Sequence, residues 1–335
     1  MKADGKTRLA MALLDQSEVA DRACAGEAAP LVRLPGAPAP KTGAAEWFTG
    51  ADGAKLRAAL FPAAKPIGSV VISSGRTEFI EKYLEVAAEL VARGYTVLIH
   101  DWRGQGLSQR LLPDRLAGHA NGYADFVADH AALLDTFESR LPKPWISLSH
   151  SMGGCLTMLA LAHGETRYAA AIFSAPMLGI AGFSPWLGRM IGGTMRVLGR
   201  SAAYGIGGSA DPYTTTFEGD SLTHDKARYD RTRAYILADR DLALGAVTWG
   251  WIRSAFDAVH WLQTGPAVPK IKTPITIVGA AQEKLVDNAG QRIVAGRVPG
   301  ARYLEIAGAY HEILMETDDI RAQFWAEFEA LVARV

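Results

Sequence analysis

The string Ser149-His150-Ser151-Met152-Gly153-Gly154 joins two apolar segments of different character, and it limits the possible folds more than any other stretch of the 335-residue chain. Before it, Trp145, Ile146, Ser147 and Leu148 read as a buried strand; after it, residues 156–162 read as an apolar helix. A strand that runs straight into a helix through a serine flanked by small residues has the pattern of a nucleophile elbow, whose sharp bend leaves the serine hydroxyl exposed. The bend brings strand and helix into backbone contact, so small residues are needed two before and two after the serine. Gly153 meets the second need, and Ser149 stands where the G-x-S-x-G pattern has its first glycine. A glycine-rich turn without chemistry has the same local appearance, so the rest of the chain has to decide.

From Glu46 onward, strand and helix signals alternate as a mostly parallel sheet covered on both faces requires. Strands are predicted over residues 68–73, 95–100, 145–148, 168–173, 275–279 and 302–306. Helices are predicted over 78–93, 123–137, from Asn288 and from Asp318; the first shows helical spacing through Phe79, Tyr83, Val86, Leu90 and Val91 and stops at Gly94. Between 176 and 262 the alternation breaks into helical patches, glycines and aromatics. An insertion of that size between strands of one sheet reads as a helical cap over the strand ends, the edge at which open α/β sheets bind ligands. The expected organisation is a flexible N-terminal leader over 1–45, rich in Ala, Pro and Gly, a core over 46–175 and 263–335, and a cap over 176–262.

Composition removes several classes of function. The 35 basic and 35 acidic residues cancel, which argues against a nucleic-acid partner held through phosphates. Cys24 and Cys155 are too few for a disulfide framework or a cysteine-based metal site. Lys2, Lys6 and Arg8 precede an apolar run over 9–14, but Asp15, Glu18 and Asp21 end it before it reaches the length of a signal-peptide core. Nothing later approaches the ~18 uninterrupted apolar residues of a membrane span. A cytoplasmic protein is the expectation.

A nucleophilic serine needs a base, and the base needs a carboxylate that fixes its tautomer and stabilises the imidazolium. His311 follows the strand ending at Ile306 by the short loop Ala307-Gly308-Ala309-Tyr310, which sets it at the same sheet edge as Ser151. The acid should lie a few residues beyond strand 275–279, where Glu283 and Asp287 both qualify. Asp287 immediately precedes a helical stretch, where capping is the ordinary duty of an aspartate; Glu283 is free of that duty and is preferred, with Asp287 as the alternative. An oxyanion hole needs two backbone N–H groups, one from the residue after the nucleophile and one from the loop after an earlier central strand. Met152 and Arg76 fill those positions, the latter in Ser73-Ser74-Gly75-Arg76-Thr77-Glu78. Glu78 reads equally as a first-turn carboxylate favoured by its helix dipole. Asp101-Trp102-Arg103-Gly104-Gln105-Gly106 lacks the third glycine and the helix opening of a dinucleotide fingerprint and reads as a structural turn. His150 should point away from Ser151, since neighbouring side chains at a strand end face opposite sides. Cys155 reads as packing.

In the same order along the chain, Gly75-Arg76-Thr77-Glu78, Asp101-Trp102-Arg103-Gly104-Gln105-Gly106, His150-Ser151-Met152-Gly153-Gly154, Leu222-Thr223-His224, Leu285-Val286-Asp287-Asn288 and Ala309-Tyr310-His311-Glu312-Ile313-Leu314 resemble bacterial lysophospholipases related to monoacylglycerol lipases. The resemblance covers nearly everything from Trp47 to the C-terminus. It implies an α/β-hydrolase fold, a mostly parallel central sheet flanked by helices with a helical cap inserted between core strands. It also implies a serine hydrolase that cleaves the acyl ester of a lysophospholipid or monoacylglycerol through an acyl-enzyme, with no cofactor and no metal. By the same resemblance Ser151 is the nucleophile, His311 the base and Glu283 the acid, with Arg76 and Met152 as oxyanion donors. Relatives often carry aspartate at the position of Glu283 and glycine or alanine at that of Ser149. The string from Leu222 falls in the cap, where substrate is chosen.

The expected partner is therefore a small-molecule lipid and no nucleic acid, while the oligomeric state leaves no mark in the sequence. Residues 186–200 interleave Trp186, Leu187, Met190, Ile191, Met195, Val197 and Leu198 with Arg189, Arg196 and Arg200. That basic amphipathic pattern is compatible with peripheral contact with the inner membrane, but a cap helix packed on the core is the first reading of it. A general carboxylesterase and an aminopeptidase would share the same triad. The aminopeptidase cap must offer carboxylates to an α-amino group, and Asp211, Glu218, Asp220, Asp239 and Asp241 are available. A catalytically silent binding module is the reading from another class; intact Ser151 and His311 and two candidate acids stand against it.

Overall fold

Continuous apolar runs cannot lie on a sheet with one wet face, and here they form the interior of a sheet covered on both sides. In the computed structural model, which describes residues 26–182, 184–205, 212, 216–219 and 221–335, nine strands pair in the order β1-β2-β3-β5-β4-β6-β7-β8-β9. β4 (Gly68–Ser73), β5 (Tyr95–His100), β6 (Trp145–His150), β7 (Tyr168–Ser174), β8 (Ile275–Ala280) and β9 (Arg302–Ile306) are parallel. β1 (Ala28–Ala29), β2 (Ala44–Thr49) and β3 (Lys55–Phe61) extend the sheet antiparallel from β5. The helices are α1 (Leu84–Ala92), α2 (Ala124–Phe137), α3 (Ser151–Ala162), α4 (Pro185–Val197), α5 (Lys226–Ala238), α6 (Trp249–Thr264), α7 (Asn288–Arg297) and α8 (Asp318–Val332). Strand alternation sends Val71 and Leu98 into one core, with Leu156 and Phe137, and Val70, Ile72 and Val97 into the other, with Phe324 and Phe328.

The flexible leader expected over 1–45 does not extend through residues 26–45. β1 pairs with β2, the Pro30 carbonyl accepts from Arg57 Nη1 at 2.9 Å, the Val32 N–H donates to Glu81 at 3.2 Å, and Leu31, Val32 and Leu34 pack on the core. Its holding points are backbone hydrogen bonds and a buried ion network, in which Arg57 pairs with Glu81 at 2.8 Å and Asp101 at 2.7 Å. Neither leaves a hydrophobic period in the sequence. Residues 1–25, with the apolar run 9–14 and Cys24, lie outside the described residues.

The insertion between β7 and β8 carries α4, α5 and α6. α4 crosses α6 closely because Gly188 and Gly192 leave room: a Cβ at Gly188 would overlap the Phe256 ring, and one at Gly192 would come within 2.8 Å of Arg253 Cβ. The cap boundary expected at 262 is displaced, since α6 runs on to Thr264 and buries Ala255, Ala258 and Leu262 in the same cluster as Leu156 and Phe173. One face of α6 holds α4 while another belongs to the core. Among the described residues no helix is long and apolar enough to cross a membrane.

Candidate active site

The bend between β6 and α3 sets Ser151 at φ 49°, a left-handed conformation that side-chain-bearing residues rarely adopt. Missing bulk around it makes the bend possible. A Cβ at Gly153 would overlap the carbonyl oxygens of Ser73 and Ser74, and one at Gly154 would lie 2.7 Å from Pro176 Cβ. Ser149, in place of the motif's first glycine, is buried, and its hydroxyl meets Ser147 Oγ at 2.9 Å and Thr157 Oγ1 at 3.0 Å. Serine fits there because strand and helix both supply polar partners.

Ser151 follows β6, Glu283 follows β8 and His311 follows β9, and the parallel register brings all three to one edge of the sheet. The Ser151 hydroxyl lies 2.9 Å from His311 Nε2, and His311 Nδ1 lies 2.7 Å from Glu283 Oε2. These partners assign the proton to Nδ1, leaving Nε2 to accept from the serine. The other oxygen of Glu283 accepts from the N–H groups of Lys284 (2.9 Å), Leu285 (2.8 Å) and Val286 (3.3 Å). Burial pushes the Glu283 pKa up, but the hydrogen bond and charge of His311 and the N–H groups of Leu285 and Val286 outweigh it and hold the carboxyl below its usual value. Asp287 is exposed and accepts from the Ala289 N–H at 2.8 Å as the N-cap of α7, and no hydrogen bond joins it to His311.

Arg76 and Met152 both line the cavity of about 380 Å³ above Ser151. Met152 sits in the first turn of α3, where amides have no intrahelical acceptor and the dipole favours negative charge. Gly75 is required by crowding: a Cβ there would lie 2.9 Å from Glu78 Oε2 and 3.1 Å from Ser151 Cβ. The 101–106 turn props this loop, with Trp102 Nε1 donating to Ser74 O at 2.9 Å and Gln105 Nε2 to Gly75 O at 2.7 Å.

Beneath the site lies a polar cluster without a local signal in the sequence. Glu78 accepts from the Gly75 N–H and from the Tyr83 hydroxyl (2.7 Å) and pairs with Lys82 at 2.9 Å; Lys82 also donates to Glu312 at 2.5 Å. Burial opposes charge on Glu78, but Lys82 and His150 outweigh it and take its pKa down to about 2. Its main partners are thus the Gly75 N–H and Lys82. His150 does not turn away as expected: it lines the cavity with its ring 4.8 Å from that of His311. Its Nδ1 contacts Ser174 O at 3.0 Å, and burial drives its pKa down to about 4, so it stays neutral. Cys155 is buried, and burial pushes its thiol well up.

Leu222-Thr223-His224 works as a strap on the loop that carries His311. Thr223 Oγ1 donates to Met315 O at 2.6 Å, the Glu312 N–H donates to Leu222 O at 2.8 Å, and the His224 ring stacks on Tyr310 with centroids 3.8 Å apart. Met177, Ile180, Leu222, Trp251 and Val286 make the cavity walls largely apolar. Trp251, which no sequence pattern singled out, donates to Met152 Sδ at 3.4 Å. Of the cap carboxylates weighed for an aminopeptidase, Glu218, Asp239 and Asp241 do not line the cavity. Asp211 and Asp220 lie outside the described residues.

A family model described as serine aminopeptidase, S33, matches residues 64–318. The chain belongs to this family. Among curated proteins, this S33 hydrolase is similar to lysophospholipase L2 of Escherichia coli K12, 36% identical over 287 residues that span 82% of this chain and 83% of the relative. It is also similar to the monoacylglycerol lipase of Mycolicibacterium smegmatis, 27% identical over 282 residues, covering 81% and 91% of the two chains. Its architecture matches a soluble variant of the monoglyceride lipase of Saccharomyces cerevisiae solved with a substrate analogue, at a TM-score of 0.69 and 18% identity over 90% of this chain and 99% of that one. The S33 hydrolase thus has the α/β-hydrolase fold.

Proposed function

We propose that the chain hydrolyses the single acyl ester of lysophospholipids or monoacylglycerols by two-step acyl transfer. Ser151 attacks the ester carbonyl as His311 takes its proton, the oxyanion rests on the N–H groups of Met152 and Arg76, and Glu283 stabilises the imidazolium. The alcohol leaves with the proton from His311. Water then attacks the acyl-enzyme with His311 as base, and the fatty acid is released. The observation that carries the reading is the unbroken contact from Ser151 through His311 to Glu283, with Ser151 and His311 in the wall of a largely apolar cavity. The names of the curated relatives supply the lipid class. A fluorophosphonate probe is expected to label the wild type and not Ser151→Ala, and lysophosphatidylcholine and monoacylglycerols should be turned over. Cleavage of an aminoacyl anilide with no lipid turnover would sink the reading.

The proposal extends to a cytoplasmic location with peripheral contact at the inner membrane through α4. Trp186 is 66%, Val197 88% and Leu198 64% exposed, and residues 184–202 contain Arg189, Arg196 and Arg200 with no carboxylate. Arg189 is already paired with Asp257 at 2.7 Å, which leaves Arg196 and Arg200 as the stronger attractors of anionic lipid. At about 1 kcal/mol per basic residue near an anionic surface, changing all three arginines to glutamine should weaken partitioning onto anionic vesicles by at least about tenfold. Equal partitioning of both proteins would remove the membrane contact.

A further inference from the structure

Arg76 carries a charge that the described protein does not balance. Its guanidinium donates from Nη1 to Gly245 O at 2.9 Å and lies 5.7 Å from the centroid of the Trp251 ring, and no carboxylate pairs with it among the described residues. Burial lowers its pKa to about 10, so it remains cationic at neutral pH. Its neighbours differ. Lys82 is matched by Glu78 and Glu312, and Arg228 by Glu85, Asp225 and Asp318. Its guanidinium is half-buried in cavity walls, so the donors not held by Gly245 O are open to a bound anion.

Arg76 also stands where two cavities meet. The one over Ser151 and a second of about 300 Å³ toward α5 share Arg76, Thr77, Leu222 and Glu312 in their walls. The first is apolar in its upper walls; the second adds polar and basic groups, among them Thr232 and Arg228. The backbone N–H of Arg76 is the proposed oxyanion donor, so its side chain leaves the backbone beside the reacting carbonyl. Its three methylenes span a length similar to the glycerol that links ester to phosphate in a lysophospholipid. A phosphodiester presents two anionic oxygens to the guanidinium fork, whereas the free glycerol of a monoacylglycerol presents none.

We infer that Arg76 is a specificity residue that reads the phosphate of the substrate, and that the preferred substrates are lysophospholipids. The inference rests on the acyl-ester hydrolase reading above and deepens it. The acyl chain occupies the apolar cavity, the ester sits at Ser151, and the phosphate lies against Arg76 at the entrance to the second chamber. The contact exists before and during reaction, so it acts mainly on KM.

The test compares kcat/KM for lysophosphatidylcholine and for the monoacylglycerol of the same acyl chain, in identical detergent micelles, for wild type, R76Q and R76K. Wild type is expected to prefer the phospholipid. R76Q should lower the phospholipid-to-glyceride ratio at least about tenfold, chiefly through KM, as loss of a charge-assisted hydrogen bond implies, and R76K should restore part of it. Damage to the Gly245 tether or to the oxyanion loop strikes both substrates and cancels in the ratio, and fluorophosphonate labelling reports the intact site. A ratio unchanged in R76Q, or a wild type that prefers the glyceride, overturns the inference and leaves the hydrolase reading in place. A wild type that turns over neither lipid overturns both.

Discussion

Glu283→Gln changes one atom of the side chain and should nearly abolish turnover. Three backbone N–H groups, those of Lys284, Leu285 and Val286, hold one carboxylate oxygen of Glu283. In the glutamine variant the amide oxygen must take that place, because an NH2 group cannot accept from three donors. The NH2 then faces His311 Nδ1, where the carboxylate oxygen had been 2.7 Å away. A donor at that point forces Nδ1 to accept, so the imidazole proton moves to Nε2, and Nε2 can no longer take a proton from Ser151. The expected loss is on the order of 10⁴ in kcat, as for a triad held in the wrong tautomer, or about 5.4 kcal/mol of transition-state stabilisation at 1.36 kcal/mol per decade. Asp287→Ala is the matched control. It removes one helix-capping acceptor, which should cost about 1 kcal/mol of stability with activity within about twofold of wild type. Each variant would be run through an ester assay and a thermal melt. A large activity loss in Asp287→Ala, with Glu283→Gln close to wild type, would show that the acid is misassigned.

If Ser151 and His311 act as one unit, alanine at either should lower kcat by about 10⁶ and alanine at both by little more; steady-state or single-turnover rates of the three variants decide it, and losses that multiply would separate the roles. Gly153→Ala would drive a methyl into the Ser73 and Ser74 carbonyls, so about 1–3 kcal/mol of destabilisation and at least ~10² in kcat from a displaced serine are expected; normal rates and melting would mean the bend is compliant. Burial takes the pKa of His130 and His150 down to about 4 against about 6.5 in an unfolded chain. The unfolded state therefore binds more protons between those values, and stability present above pH 6.5 is lost as pH falls toward 4, by on the order of 3 kcal/mol per histidine at most. Denaturant titrations from pH 7 to 4.5 should show this slope, reduced by about one proton in His130→Gln. A flat profile contradicts it.

How legible each part was depends on the range of the forces that form it. β4 and β5 occupy the residues that the apolar runs predicted, because a strand buried on both faces needs little except local hydrophobicity. β2 and β3 gave no such signal. Lys55–Phe61 is rich in alanine and leucine and places Arg57 in a buried position, which becomes sensible only once Glu81 and Asp101 arrive to pair with it. The same contrast runs through the site. The bend at Ser151 and the placement of His311 and Glu283 after successive strands follow from local order. The pair Lys82–Glu312 joins residues 230 apart, and the strap from Leu222 to the His311 loop appears only when the insertion folds back.

That strap decides how far the insertion can be treated as an exchangeable part. Glu316 is wholly buried and takes hydrogen bonds from the backbone N–H of His224 at 2.9 Å, from the His224 ring at 2.8 Å and from the Tyr310 N–H at 2.8 Å. Two of its three donors belong to the insertion and the third to the loop that carries His311. A chimera that grafts a relative's insertion at the helix boundaries, without matching residues 222–224 to 310–316, strands a carboxylate in the interior, a loss of several kcal/mol. The damage would reach His311 before it reached substrate preference. Recombination within such a family must therefore exchange the insertion and the C-terminal histidine loop as one heritable block, although 85 residues or more of chain lie between them.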